Sequence, residues 1–230
     1  MTNHPSIAAV VPMRHDSQRV PGKNWRALGG RPLFLHIVDA LSHCEQISRI
    51  VIDTDSDVIR SIAERECPHV TVLERPTHLR DDRLPMNDVL LNTISQVPAD
   101  FYLQTHSTNP LLSTASISNA IKMLINGRGM YDSLFAVSRL QQRLWDALTR
   151  PVNHNAAILL RTQELPPIYA ENSCMYLFSE NTLRTCHNRV GARPLMFELD
   201  RVEAWDIDEE LDFTIAEMLY QAMKSSRSAA

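Results

Sequence analysis

Two clusters of charge carry the chemistry this sequence could perform. Residues 12–26 read Pro-Met-Arg-His-Asp-Ser-Gln-Arg-Val-Pro-Gly-Lys-Asn-Trp-Arg, so Arg14, Arg19, Lys23 and Arg26 face a single acid, Asp16, in a chain of net charge −4. Guanidinium and ammonium groups gathered in one loop suit a polyanion such as a chain of phosphates, whose oxygens they bind directly. A solvated surface loop would read the same way. Pro21-Gly22 is turn chemistry that brings Lys23 and Asn24 back toward whatever precedes the loop. The second cluster lies near the other end, where eight acids occupy the fifteen residues from Glu198 to Asp212. Asp206 and Asp208 flank Ile207, which in extended chain puts both carboxylates on one side. Two hard oxygen ligands side by side suit Mg²⁺ when phosphate oxygens and water complete its octahedron. Asp208, Glu209 and Glu210 equally suit the first turn of a helix.

These loops need a scaffold, and the hydrophobic pattern supplies one. Ile7–Val11 is apolar on both faces, as a strand in a parallel sheet covered by helices can be. Leu33, Phe34, Ile37, Val38 and Leu41 then recur at helical spacing. Strand followed by helix repeats at about 30-residue intervals through strands near 50–52, 70–73 and 101–103, with helices near 58–63, 89–97 and 117–124, the last capped by Ser113 or Thr114. Asp53-Thr54-Asp55 at the end of the second strand offers a second anionic feature near the site, although Asp55 or Asp57 reads more readily as a helix cap. The pattern predicts an α/β fold with a doubly wound, mostly parallel sheet. Ligands of such sheets bind beyond the carboxyl ends of the strands. After residue 130 the order loosens: strands are expected at 133–137, 175–178 and 195–199, a last helix at about 209–224, and a frayed tail at 225–230.

Composition narrows the function classes. The 230 residues are 44% hydrophobic and 22% charged, the balance of an ordinary globular chain, read as a single domain over 1–230. A net charge of −4 argues against binding nucleic acid by bulk charge. No apolar run approaches a membrane span, and residues 1–6 lack the features of a secretion signal, so the expected setting is cytoplasmic. Cys44, Cys67, Cys174 and Cys186 have neither disulfide-scaffold nor zinc spacing, and no GxGxxG or Walker A sequence is present.

The order of the motifs adds more. Pro12-x-Arg14-x-x-Ser17-x-x-x-Pro21-x-Lys23-Asn24 after a first strand resembles the nucleotide-binding signature of the acylneuraminate cytidylyltransferase (CMP-sialic acid synthetase-like) family. The likeness continues through Arg75-Pro76-x-x-Leu79-x-x-Asp82, Thr108-Asn109-Pro110-Leu111, Asn172 before a strand, and Asp206-Ile207-Asp208-x-x-Leu211-Asp212-Phe213, covering about Ile7 to Leu219. The resemblance implies a nucleotidyltransferase of Rossmann-like fold that moves CMP from CTP to an acidic acceptor. That acceptor would be a 2-keto sugar acid of the sialic, legionaminic or pseudaminic kind, with pyrophosphate released, Mg²⁺ as cofactor, and a homodimer as the working form.

By the same resemblance Arg14, Lys23 and Asp208 are the catalytic residues, with Arg14 and Lys23 on the triphosphate. Ser17 donates to a phosphate oxygen, Asn24 meets the sugar or base, and Arg75 and Asn87 complete the nucleotide site. Most relatives carry a lysine after the serine; this chain has Gln18, with Arg19 next to supply the charge. Gln104, His106, Arg161, Tyr169 and Asn172 fall to the acceptor, about 139–190 forms an acceptor and dimerisation section, and Asp206 and Asp208 hold the metal. His106, Leu112 and Glu171 depart from the family pattern around the acceptor. They leave open CMP transfer to a small phosphonate, and Gln18 leaves open a non-catalytic nucleotide-binding relative.

Overall fold

The computed structural model describes residues 5–228. The expectations for residues 1–4 and for Ala229 and Ala230 lie outside the described residues. Strand β1 (Ile7–Met13) is buried at every position, because helices cover both of its faces. A two-strand hairpin follows, β2 (Ala27–Leu28) with β3 (Arg31–Pro32), and then helix α1 (Leu33–Ser42). Strand β4 (Arg49–Thr54), helix α2 (Asp57–Glu66), strand β5 (Thr71–Glu74), helix α3 (Met86–Gln96), strand β6 (Phe101–Thr105) and helix α4 (Thr114–Asn126) complete the regular half. The irregular half comprises β7 (Ser133–Leu140), β8 (Ile168–Phe178), α5 (Glu180–Cys186), β9 (Pro194–Glu198) and α6 (Glu210–Ser228).

Seven strands form one sheet in the order β5-β4-β1-β6-β8-β7-β9. All neighbouring pairs are parallel except the two that β8 makes, with β6 and with β7. Helices α1, α2 and α4 pack on one face, around Ile7, Ala9, Val11, Phe34, Val38, Ile59 and Ile121. Helices α3 and α5 cover the other through Ala8, Val10, Leu90, Ile94 and Leu183. Each fully buried aliphatic side chain contributes about 1.5–3 kcal/mol relative to exposure, so the two layers hold the carboxyl ends of β1, β4 and β6 at one edge. Ser113 caps α4 as expected, accepting from the Ser116 amide at 3.1 Å. Helix α2 is capped by Ser56, not by Asp55 or Asp57.

The irregular half departs from its sequence pattern. Strands β7 and β8 run beyond the expected 133–137 and 175–178 and pair with each other past the sheet, Val137–Leu140 against Ile168–Glu171. The polar residues there carry no clean alternation, and only pairing makes them strand. Between the two paired stretches the register shifts, leaving residues 172–175 of β8 opposite Ala136. Ser173 sits in that bulge at φ 59°, a conformation uncommon for a residue with a side chain. Helix α6 continues through residues 225–228, where a frayed tail was expected.

A third, smaller cluster determines the site. Val20, Leu28 and Leu33 pack with Ile207, Phe213 and Ala216, tying the first loop to the segment before α6. Gly29 lets this contact close: at φ +59° it lies under Tyr220, and a Cβ there would fall 2.1 Å from the ring. Its amide donates to Glu217 Oε2 at 2.7 Å, and Arg26 grips Glu210 through both carboxylate oxygens.

Candidate active site

The loop after β1 folds back as its turn chemistry predicts. Gly22 takes a left-handed conformation (φ 65°), and Lys23–Trp25 form one turn of 3₁₀ helix behind it. Lys23 and Asn24 are thereby buried. Asn24 Nδ2 donates to the Arg14 carbonyl at 2.8 Å, and Asn24 Oδ1 accepts from Ser107 Oγ at 2.6 Å. Both ends of its amide are engaged within the protein, which makes Asn24 the strut between the loop and the end of β6.

In front of that strut lies a cleft of about 770 Å³. Arg14, Ser17, Arg19 and Lys23 line it, with Asp16, Gln18, Asp55 and the 80–82 segment. Four of the seven residues expected at a nucleotide thus meet in one place. Gln18 donates to Asp82 Oδ2 at 2.6 Å and Arg14 to the Asp82 carbonyl at 3.2 Å, so the 80–82 loop forms the opposite wall. Asp55 accepts from the His15 amide at 2.7 Å. Asp55, the anionic residue at the end of the second strand, does face the cleft, as does Arg80, which the sequence did not single out; the turn after β5 is what carries Arg80 there.

Arg75 and Asn87 are not among the residues lining the cleft. Arg75 is only 1% exposed, with Nε on Asp53 Oδ1 at 2.6 Å and Nη2 on the Asp53 carbonyl at 3.1 Å. Its carbonyl accepts from Arg80 Nε at 2.9 Å, so it supports the wall from behind. Asn87, in the first turn of α3, donates to the His187 carbonyl at 2.8 Å.

The acidic pair closes the cleft from the α6 side. Ile207 is fully buried in the third cluster, and Lys23 Nζ donates to its carbonyl at 2.5 Å. Asp208 lies 3.9 Å from Lys23 Nζ and accepts from Arg19 Nη2 at 2.6 Å. Asp206 Oδ1 is shut off from solvent and has no hydrogen-bond partner among the described residues. Burial pushes the Asp206 carboxyl up; a hydrogen bond from Thr108 opposes the rise, and the Asp208 charge adds to it. Burial likewise pushes the Lys23 ammonium down, against the attraction of Asp208 and Asp206. Lys23 and Asp206 are therefore both held where burial works against their charges, a cost that a bound counter-charge offsets.

A polar cluster stands at the carboxyl end of β6, near enough to Lys23 for its charge to act on His106. Gln104 is fully buried, and its Nε2 lies 2.7 Å from His106 Nε2. Its Oε1 accepts from Arg189 Nη1 at 2.5 Å. With the oxygen so engaged, the amide NH₂ faces the histidine, which puts the imidazole proton on Nδ1. Burial, and then the Arg189 and Lys23 charges, push the His106 pKa down to about 4. Arg189 itself stacks on the Tyr176 ring, 3.8 Å from its centroid, and the Tyr176 hydroxyl donates to Glu171. Arg189, like Arg80, is a residue the sequence did not single out. It stands in an unpatterned loop 85 positions from Gln104, and no local signal marks it.

The other expected acceptor residues are dispersed. Asn172 spans the β8 bulge, donating to Ser138 Oγ at 3.1 Å and accepting from the Cys174 amide at 3.2 Å. Tyr169 lies opposite Arg139 on the extension of β8, and Arg161 pairs with Glu164 at the far end of that extension. Among the described residues no hydrogen bond or ion pair joins either of them to Gln104, His106 or Arg189.

The neutral imidazole has a measurable consequence. Between its ordinary 6.5 and about 4, the unfolded chain binds a proton at His106 that the folded chain refuses. Stability from this group is therefore complete above 6.5 and falls as the pH drops toward 4. Urea denaturation at about pH 7 and about pH 4.5 should show the wild type losing more stability than His106→Gln. Parallel losses in the two proteins would contradict a neutral buried ring.

Residues 8–225 match the family model described as cytidylyltransferase. The flagellin post-translational modification protein B of Campylobacter coli is 25% identical over 93% of this chain and 94% of its own length. The N-acylneuraminate cytidylyltransferase A of Danio rerio is 26% identical over 92% of this chain, which spans 50% of that protein. Among solved structures, a CMP:2-keto-3-deoxy-manno-octonic acid synthetase complexed with CTP superposes with a TM-score of 0.71. It covers 95% of this chain and 99% of its own at 11% identity, a likeness of fold. Among the described residues, no helix is long and apolar enough to cross a membrane.

Proposed function

The chain belongs to the cytidylyltransferase family, and we propose that it transfers CMP from CTP to the anomeric hydroxyl of a 2-keto sugar acid, releasing pyrophosphate. The observation that carries this reading is a cleft lined by Arg14, Arg19 and Lys23 with the Gln104–His106–Arg189 cluster near Lys23. The cleft presents Arg14, Arg19 and Lys23, which suit a triphosphate, and the cluster holds a single guanidinium, which suits a small acid. Arg14, Arg19 and Lys23 hold the β- and γ-phosphates, and Ser17 donates to a phosphate oxygen. In-line attack on the α-phosphorus then depends on positioning, with Lys23 stabilising the departing pyrophosphate.

Asp206 and Asp208 suit Mg²⁺. Asp206 Oδ1 is a buried carboxylate oxygen without a partner, and two carboxylates leave the rest of an octahedron to phosphate and water. Bound there, the ion supplies neutralisation of phosphate charge. The Arg19–Asp208 contact joins two side chains that are 60% and 46% exposed, so exchanging it for phosphate and metal costs little.

The β7–β8 extension supports a homodimer. Trp145, Leu148, Ile158 and Leu159 stand exposed on it, Leu159 at 90%, an apolar surface that a second copy would cover. In that arrangement Arg161 and Tyr169 serve the site of the other copy, and about 139–190 is the acceptor and dimerisation section of a single domain. Sedimentation should then give twice 26.1 kDa.

The test is pyrophosphate release from purified protein with CTP and Mg²⁺. The acceptor panel holds N-acetylneuraminate, legionaminate, pseudaminate, 3-deoxy-manno-octulosonate, phosphonoformate and 2-hydroxyethylphosphonate, with ATP, GTP and UTP as nucleotide controls. Release with CTP and a sugar acid is expected. Release with a phosphonate alone would keep the nucleotide site and overturn the acceptor. CTP binding without release from any acceptor would favour the non-catalytic alternative.

A further inference from the structure

We propose that Arg189 binds the carboxylate of the acceptor and makes the protein selective for an acid; this rests on the transfer reaction proposed above. Charge accounting carries the argument. Arg189 is largely withdrawn from water, yet among the described residues no carboxylate lies within ion-pair distance of it. Glu171, the acid whose charge reaches it, accepts the Tyr176 hydroxyl instead. A withdrawn guanidinium without a counter-ion is costly, and a ligand that brings an anion removes the cost.

The geometry suits one kind of anion. The Arg189 Cζ lies over the Tyr176 ring, 3.8 Å from its centroid, and Gln104 holds Nη1 at 2.5 Å, so the guanidinium is held from two sides before a ligand arrives. A planar carboxylate matches such a fork with two parallel hydrogen bonds. His106, which feels the charges of both Arg189 and Lys23, is a neutral ring and adds no third cation. The two cationic ends are thus separate: Arg14, Arg19 and Lys23 for phosphates, Arg189 for the acid. Arg161, the arginine expected on the acceptor, is exposed and already paired with Glu164.

The experiment compares wild type, Arg189→Met and Arg189→Lys. Each is tested with the sugar acid that the wild type turns over and with its methyl ester, which keeps the anomeric hydroxyl and removes the charge. CTP affinity is measured separately by calorimetry without acceptor. Arg189→Met should raise the KM for the acid roughly 30-fold or more, leave the KM for the ester unchanged, and leave CTP binding intact. Arg189→Lys should recover part of the loss. Equal effects on acid and ester, or no effect on either, would overturn the proposal and leave Arg189 a structural residue. Should Arg189→Met not fold, Arg189→Gln carries the same comparison. Failure of the wild type itself to transfer CMP would instead strike the reaction, and the role of Arg189 with it.

Discussion

Asp208→Asn and Asp206→Asn should each lower the rate of pyrophosphate release by roughly 10³-fold or more while leaving the fold intact. The two variants separate function from stability because their surroundings differ. Asp206 carries a buried oxygen with no partner, and its carboxyl is pushed up by that burial. Replacing it with asparagine removes an unfavourable buried charge, so the melting temperature of Asp206→Asn should hold or rise. Asp208 gives up an exposed ion pair with Arg19, which contributes little, and a long 3.9 Å contact to Lys23, whose ammonium keeps its 2.5 Å bond to the Ile207 carbonyl, so the loss should be small. A stable protein without turnover is the signature of a carboxylate kept for its ligand. Wild-type turnover in Asp208→Asn would remove the metal from the proposal.

Asp53→Ala should have the largest effect on stability, a loss of about 3–5 kcal/mol in urea denaturation. Asp53 is fully buried and gathers Arg75 Nε at 2.6 Å and Thr93 Oγ1 at 2.7 Å. Arg75 Nη1 already lacks a partner, so removing the carboxylate leaves a whole guanidinium charge enclosed and unpaired. Replacing both partners, Asp53→Ala with Arg75→Met, should recover much of the loss, because the enclosed charge goes with them. CTP affinity of the double variant then separates two roles for Arg75. A nucleotide contact would disappear with the guanidinium, whereas a strut behind Arg80 would not register as a lost charge at the ligand. A loss below about 1 kcal/mol in Asp53→Ala would contradict the buried pair.

These cases mark how far the sequence could be read. Arg14, Ser17, Arg19 and Lys23 share one loop, and Asp206 and Asp208 share one extended tripeptide, so spacing alone groups them. Arg75 carries the same charge as Arg14, and nothing in its neighbourhood signals that Asp53, 22 residues away, encloses it. Gln18 and Arg19 are adjacent, yet one turns to Asp82 and the other to Asp208.

The regular half of the sheet was legible for a related reason. A strand buried on both faces and a helix buried on one leave repeating apolar patterns over a few residues, and four such units in succession admit a parallel sheet. The chain by itself therefore determined the fold class, the basic loop and the acidic pair, all of which are local. Tertiary structure alone decided that β8 runs against its neighbours, that the β7–β8 extension stands clear of the sheet, and that Arg189 meets Gln104 and His106. Those outcomes depend on contacts between residues far apart in sequence, where the energy belongs to the pair and neither partner's local pattern records it.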